Sequence, residues 1–251
     1  AAVLRENRRV RIVAARRGAL RGAARAPGGL DILAGPERRP LITTHSEFGV
    51  RYVVDLEAAF FSTRMGPERQ RIAALVRPGE RVCVLFAGCG PEALQIAAGT
   101  EAASVVAVEL NAEAVRCARR SLELLAKRSG ERAGRVRLLE GDVRAVAADL
   151  PPGSFHRVLA PRPKGATEAE DDALVGEFLR CALPLLGPGG CCHWYDFVAD
   201  WEFPECARSV ARIVEACSNA GRKATILRCS AANNKPVAER QYRTVIDFSV
   251  E

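Results

Sequence analysis

No apolar run in this 251-residue sequence approaches the length that a bilayer span requires, so a transmembrane helix is excluded. Histidine is scarce, with three scattered residues (His45, His156 and His193). None of the nine cysteines (Cys83, Cys89, Cys117, Cys181, Cys191, Cys192, Cys206, Cys217 and Cys229) belongs to a CxxC pair. Without paired thiols or clustered imidazoles, the sequence argues against a metal site. Nor do the cysteines imply a disulfide framework. A chain of this length with 48% hydrophobic residues builds its own core, so they read as reduced, mostly buried residues of an intracellular protein. No internal repeat is evident, and 27% charged residues is a globular composition rather than a disordered one.

Acidic residues are nearly absent from the first 25 positions, where Glu6 alone faces eight arginines: Arg5, Arg8, Arg9, Arg11, Arg16, Arg17, Arg21 and Arg25. This segment carries the whole net charge of +7, and the rest of the chain is balanced. Guanidinium forks match phosphate oxygens, which suits contact with nucleic acid. An Ala/Arg-rich, acid-poor stretch equally suits an organelle-targeting segment. Residue 1 is Ala rather than Met, as expected of a fragment or a processed form.

Patterning divides the chain at about residue 77. Residues 1–76 read as a basic segment and a small α+β subdomain. Within it, Leu41–Thr44 and Val50–Asp55 form a hairpin about Phe48-Gly49, and a helix runs from Gly66-Pro67 to Val76. Residues 77–251 alternate strand and helix. Strands are expected at Val82–Phe86, Ser104–Glu109, Val136–Leu139, Phe155–Ala160 and Cys191–Val198, and near 223–229 and 241–249. Helices are expected near 91–98, 112–127, 171–186 and 204–219. Strands apolar at every position are covered on both faces, so the fold class is α/β with a doubly wound, Rossmann-like sheet.

The loop Phe86-Ala87-Gly88-Cys89-Gly90-Pro91 follows the first of these strands, and glycine there lets the backbone turn tightly beside a ligand. Glu109 ends the second strand and can accept hydrogen bonds from ribose hydroxyls; Asp142, after the third, can accept from an adenine amino group. A pyrophosphate-binding loop carries a third glycine, but Ala93 occupies that position, and Pro91 removes an amide from the helix start. S-Adenosylmethionine has no phosphate, so this loop suits it better than a dinucleotide.

With these residues in place, the chain resembles the archaeal and eukaryotic family of tRNA guanine-N1 methyltransferases, which modify the base 3′ of the anticodon, together with the related transferases of wybutosine synthesis. The resemblance runs from about Arg25 to the C-terminus. It rests on Ile32-Leu33-Ala34-Gly35, Thr44–Gly49, Phe61–Arg69, Phe86–Pro91, Glu109-Leu110-Asn111 and Gly189–Tyr195. It implies a class I methyltransferase sheet in which Phe86, Gly88, Gly90, Pro91, Glu109, Leu110, Asn111, Asp142 and Val143 line the cofactor site. It also implies Glu68 as general base for the N1 proton and Arg25 as the cation that steadies charge developing towards O6. Arg64, Arg69, Arg162 and Lys164 are the expected RNA contacts, and His193 is expected to be a core residue. The accompanying expectations are tRNA as partner, no membrane, a monomer and a cytoplasmic location, with an organellar or nuclear pool left open.

Three departures accompany the resemblance. Val84 stands where the family often ends its first strand with an acid. Pro161, in Ala160–Gly165, stands where the family has Asn, which shifts guanine recognition to Arg162 or Lys164. An acidic insertion (Glu168, Glu170, Asp171 and Asp172) follows and would repel phosphates lying along it. No counterpart of the family's separate tRNA-body domain is present, which leaves affinity to the arginine cluster or to sequence outside this chain. Two alternatives therefore stand beside methylation: transfer of the aminocarboxypropyl group, and a non-catalytic RNA-binding subunit with a degenerate methyltransferase fold.

Overall fold

Strands that are apolar at consecutive positions need cover on both faces, and here they form the centre of a seven-stranded sheet. A computed structural model describes residues 2–18, 27–233 and 236–251. In chain order the elements are α1 (Ala2–Glu6), β1 (Val13–Arg16), β2 (Leu30–Ala34), β3 (Ile42–Glu47), β4 (Val50–Asp55), α2 (Gly66–Leu75), β5 (Arg81–Leu85), α3 (Pro91–Gly99), β6 (Ser104–Glu109) and α4 (Ala112–Ala126). There follow α5 (Gly130–Gly134), β7 (Val136–Glu140), α6 (Val143–Asp149), β8 (Phe155–Ala160), α7 (Glu168–Ala182), β9 (Leu186–Ala199), α8 (Ala207–Asn219), β10 (Ala224–Ala231) and β11 (Gln241–Val250).

The strand order is β10-β11-β9-β8-β5-β6-β7. The five strands from β9 to β7 are mutually parallel, whereas β11 runs antiparallel to both of its neighbours. The chain therefore adds β6 and β7 on one side of β5 and then crosses from β7 to add β8 and β9 on the other. A crevice opens beyond the carboxyl ends of the strands at such a reversal.

Side chains alternate between two cores. Cys83, Leu85, Val106, Val108 and Val158 pack with α6, α7 and α8 on one face. Val82, Val84, Val105, Ala107 and Leu159 pack on the other face with α2, α3, α4 and β4. Tyr52 and Val54 of β4 and Ile72 of α2 belong to this second cluster, so residues on both sides of the boundary at 76/77 share one buried core. Among the described residues, no helix is long and apolar enough to cross a membrane.

The hairpin expected about Phe48-Gly49 is β3–β4, in full antiparallel register from Ile42↔Asp55 to Glu47↔Val50. Phe48 and Gly49 have φ of 46° and 79°, the paired positive values that a two-residue turn between twisted strands requires. The hairpin is pinned to the helices. Tyr52 Oη donates to Gln95 of α3 at 2.9 Å, and the Val53 amide donates to Ser121 of α4 at 2.7 Å.

The acidic stretch is helical: Glu168, Glu170 and Asp171 form the first turn of α7, behind the N-cap Thr167. Acids favour that end of a helix because its free amides carry partial positive charge. Glu168 and Asp172 pair with Arg208, and Asp172 also with Arg212. These charges are answered within the protein rather than presented to a polyanion. The structure also contains elements not anticipated from patterning: the β1–β2 hairpin, α5 and α6. Arg16, counted with the basic segment, ends β1, and Arg17 pairs with Asp31.

Ser121 is fully buried; its Oγ accepts the Val53 amide and donates to the Cys117 carbonyl at 2.8 Å. Ser121→Ala leaves that amide unsatisfied, so urea unfolding should show a loss of about 1–3 kcal/mol. An unchanged midpoint would mean that the hairpin is not held there.

Candidate active site

Three strand tips converge at the edge where the order reverses. Beyond β5, Phe86, Gly88 and Gly90 adopt left-handed backbone, with φ of 58°, 58° and 80°. A Cβ at Gly90 would lie 3.2 Å from Ala118 Cβ, so glycine also lets α4 close against the loop. Pro91 opens α3. The Phe86 ring lies edge-on to Phe178 with centroids 4.6 Å apart, which anchors the loop to the core.

Glu109, the last residue of β6, reaches back to this loop. Oε2 accepts from the Gly88 amide and Oε1 from the Asn111 amide, both at 2.7 Å. Each carboxylate oxygen can accept more than one hydrogen bond. Burial pushes the Glu109 carboxyl up, while the amides of Asn111, Gly88 and Leu110 pull it down. Leu110 is 40% exposed beside it. Asn111 shapes the surroundings: Oδ1 caps α4 by accepting from the Glu113 and Ala114 amides, and Nδ2 donates to the Ala58 carbonyl at 2.7 Å.

Asp142 caps α6 through the Arg144 amide at 2.9 Å. The Arg144 guanidinium also clasps it, at 2.9 and 2.5 Å, and holds its carboxyl below the ordinary range. A ligand amino group would thus meet a carboxylate that is already paired. The Val143 side chain belongs to the core. Val84 is wholly buried inside β5, where an acid would lack water, so the position suits valine.

On the other side of the reversal, α2 turns Glu68, Arg69, Ile72 and Ala73 inwards. Glu68 is 6% exposed. Its Oε1 accepts from Tyr195 Oη at 2.9 Å, and its two oxygens accept from Arg71 at 2.8 Å each. The structure therefore brings a desolvated carboxylate together with a phenol and a guanidinium. Tyr195 and Arg71 were not singled out as site residues. The Glu68-Arg69-Gln70-Arg71 spacing, which sets Arg71 one turn from Glu68, was the available signal.

Two expected RNA contacts are corrected. Arg69 is 3% exposed, because Glu47 of β3 accepts from it at 2.7 and 2.9 Å and the Ser62 carbonyl at 3.1 Å. Arg162 is 1% exposed and donates to both oxygens of Asp171, at 2.7 and 2.9 Å, and to Asp196. Neither can reach a phosphate without abandoning a buried carboxylate. Arg64 is exposed on a short turn over Thr63–Met65. Lys164 is half-buried and donates to Gln241 Oε1 at 2.7 Å. The carbonyl of Pro161 accepts from Arg243 at 3.1 Å. His193 is a core residue as expected, 1% exposed with both ring nitrogens bonded. Arg25 lies outside the described residues.

A structural role for Arg69 makes a distinct expectation. Arg69→Ala should lower unfolding free energy by about 3–5 kcal/mol, because the largely buried Glu47 side chain keeps only His45, at 3.3 Å, as a partner. The salt dependence of any RNA binding should stay as it is; a shallower slope would restore Arg69 to the RNA path.

The strand order 3-2-1-4-5-7-6, read within the sheet from β7 to β10, is that of class I methyltransferases. Comparison with known proteins agrees. The chain is 28% identical over 208 residues to the tRNA (guanine(37)-N(1))-methyltransferase Trm5b of Pyrococcus abyssi, covering 83% of this chain and 55% of that protein. It is 26% identical over 221 residues to Trm5b of Methanocaldococcus jannaschii, covering 88% and 55%. The crystal structure of Trm5b from Pyrococcus abyssi superposes with a TM-score of 0.78 at 25% identity, over 100% of this chain and 67% of that one. The chain thus spans about half the length of the curated relatives it matches. The family described as the TRM5/TYW2 methyltransferase domain matches residues 43–224, and with that match, over most of the sheet and the whole crevice, the chain belongs to this family.

Proposed function

We propose that this chain is the catalytic part of an S-adenosylmethionine-dependent enzyme that methylates N1 of the guanine beside the anticodon of tRNA. The observation that carries the reading is Glu68, a carboxylate withdrawn from water and bonded to Tyr195 and Arg71. N1 of guanine loses a proton as it gains a methyl group, and a positioned carboxylate can take that proton.

The described residues fit the cofactor. A glycine turn with Pro91 at the helix start suits a nucleoside without phosphates, and Glu109 offers two acceptor sites for its ribose. Leu110 supplies apolar surface beside the adenine, with Asp142 towards its amino group. When bound, S-adenosylmethionine supplies an electrophilic methyl group on a sulfonium. Glu68 accepts the N1 proton, and Arg25 offsets charge at O6. Arg64, Lys164 and the arginines before residue 26 supply the cations that tRNA phosphates need.

A second reading is transfer of the aminocarboxypropyl group from the same cofactor, the activity named for the tRNA(Phe) (4-demethylwyosine(37)-C(7)) aminocarboxypropyltransferase of Pyrococcus horikoshii, 35% identical over 94 residues. Incubation with labelled cofactor and either unmodified tRNA or tRNA carrying 4-demethylwyosine, followed by nucleoside mass spectrometry, separates the two. One added methylene on guanosine N1 is the expected product. The larger adduct would replace methylation by the second reading, and cofactor binding without transfer would favour an RNA-binding scaffold.

The residue roles predict separable defects. Glu109→Ala should weaken cofactor binding at least about tenfold, because charged hydrogen bonds are lost. Glu68→Gln should slow single-turnover transfer by about 10²–10⁴ while cofactor affinity holds. A full rate in the Glu68 variant would remove it from the chemistry.

A further inference from the structure

Behind Glu68 runs a buried chain of donors and acceptors that links four elements of the fold. Arg71 of α2 donates to Glu68 at 2.8 Å through both Nε and Nη2. It also donates to Asp247 of β11, at 2.6 Å from Nη1 and 3.2 Å from Nη2. His193 Nδ1 of β9 lies 2.5 Å from Asp247 Oδ1, and its Nε2 lies 2.6 Å from Arg157 Nη1 of β8. Arg157 in turn is held by Glu80 at 2.8 and 3.0 Å. Glu68, Asp247, His193, Tyr195 and Arg157 are all at most 6% exposed.

The protonation of this chain follows from its ends. Arginine only donates, so His193 Nε2 must accept from Arg157, and Nδ1 must carry the hydrogen donated to Asp247. His193 is therefore neutral, consistent with burial pushing its imidazole down. Arg157 and Glu80 cancel. What remains around Arg71 is one guanidinium between two largely buried carboxylates, a net negative charge only partly reached by water. A proton is the counter-charge that removes it.

Which carboxylate takes the proton is decided by its outer neighbour. His193 is locked as a donor, so Asp247 cannot protonate on that side without setting hydrogen against hydrogen. Tyr195 is not locked, because a phenol can turn from donor to acceptor when Glu68 gains hydrogen. Burial would raise the Asp247 carboxyl, but the bonds from His193 and Arg71 outweigh it and hold it at about 2. Other charges close by are Glu92 of α3, Glu47 of β3 with its partner Arg69, and Arg243 of β11, whose guanidinium lies 5.5 Å from the Tyr195 ring centroid.

We propose that Asp247, braced by His193, is a positioning residue that holds Arg71 between two carboxylates and so keeps Glu68 able to accept the substrate proton. The assignment rests on Glu68 being the base, and it extends to residues that never touch substrate. Without Asp247, Arg71 belongs to Glu68 alone, and a singly paired carboxylate in that setting is a poorer acceptor.

The test reads protonation directly. In the full chain with ¹³C-labelled carboxyl groups, an NMR titration towards acid should show Asp247 resisting protonation well below the ordinary carboxylate range; protonation within the ordinary range overturns the proposal. In Asp247→Asn, the acid limb of single-turnover transfer should move down by about one pH unit. The maximal rate should fall about tenfold with cofactor affinity unchanged. His193→Gln can still accept from Arg157 and donate to Asp247, so it should keep the wild-type limb. A rate loss in Asp247→Asn with an unmoved limb would make Asp247 merely structural. If Glu68→Gln keeps full activity while Asp247 still resists protonation, the base assignment fails and the electrostatic arrangement stands.

Discussion

Covering β5 on both faces is the requirement that organises this molecule. A strand apolar at successive positions can lie only between two layers of helices, and its alternating side chains then divide the interior into two cores. With β6 on one side and β8 on the other, the chain must cross over in opposite senses. The groove left between those crossovers is where the strand tips become available to a ligand. The crevice is thus a by-product of packing, and the loop from Phe86 to Pro91 exploits it.

The polar groups on the two sides of that reversal are treated differently. Glu109 keeps acceptor capacity while two amides fix it in place. Glu68 sits deeper, within a chain of guanidinium, carboxylate and imidazole that spans α2, β11, β9 and β8. In the proposed function, one side holds the nucleoside of the cofactor and the other manages a proton. A cavity of about 710 Å³ near the starts of β5, β8 and β9 touches the same chain from behind, through Arg71, Asp247 and His193. The groups that set Glu68's surroundings are therefore reached from the sheet edge opposite the crevice.

Much of the fold was legible because its signals are local. The apolar runs of β5, β6 and β8, the Phe48-Gly49 turn and Pro67 at the start of α2 each state their structure within a few residues. The place of Glu109 at a strand end, within reach of the glycine loop, was legible for the same reason. Arg69 and Arg162 were misread because an arginine is drawn outwards or inwards by its partner. Glu47 and Glu92 lie far from Arg69 in sequence, as Asp196 does from Arg162. The acids after Pro163 read as a repulsive surface, and Thr167 supplies the cap that makes them a helix start. Arg71 and Asp247, 176 positions apart, could be joined only by the folded chain.

The grip of two main-chain amides on Glu109 has a consequence for selectivity. A carboxylate immobilised by the fold surrenders its rotational freedom before any ligand arrives, so a guest meets acceptors already aimed. In the proposed cofactor role such a pair suits the neighbouring hydroxyls of a ribose, and a sugar lacking either one would strand a desolvated oxygen.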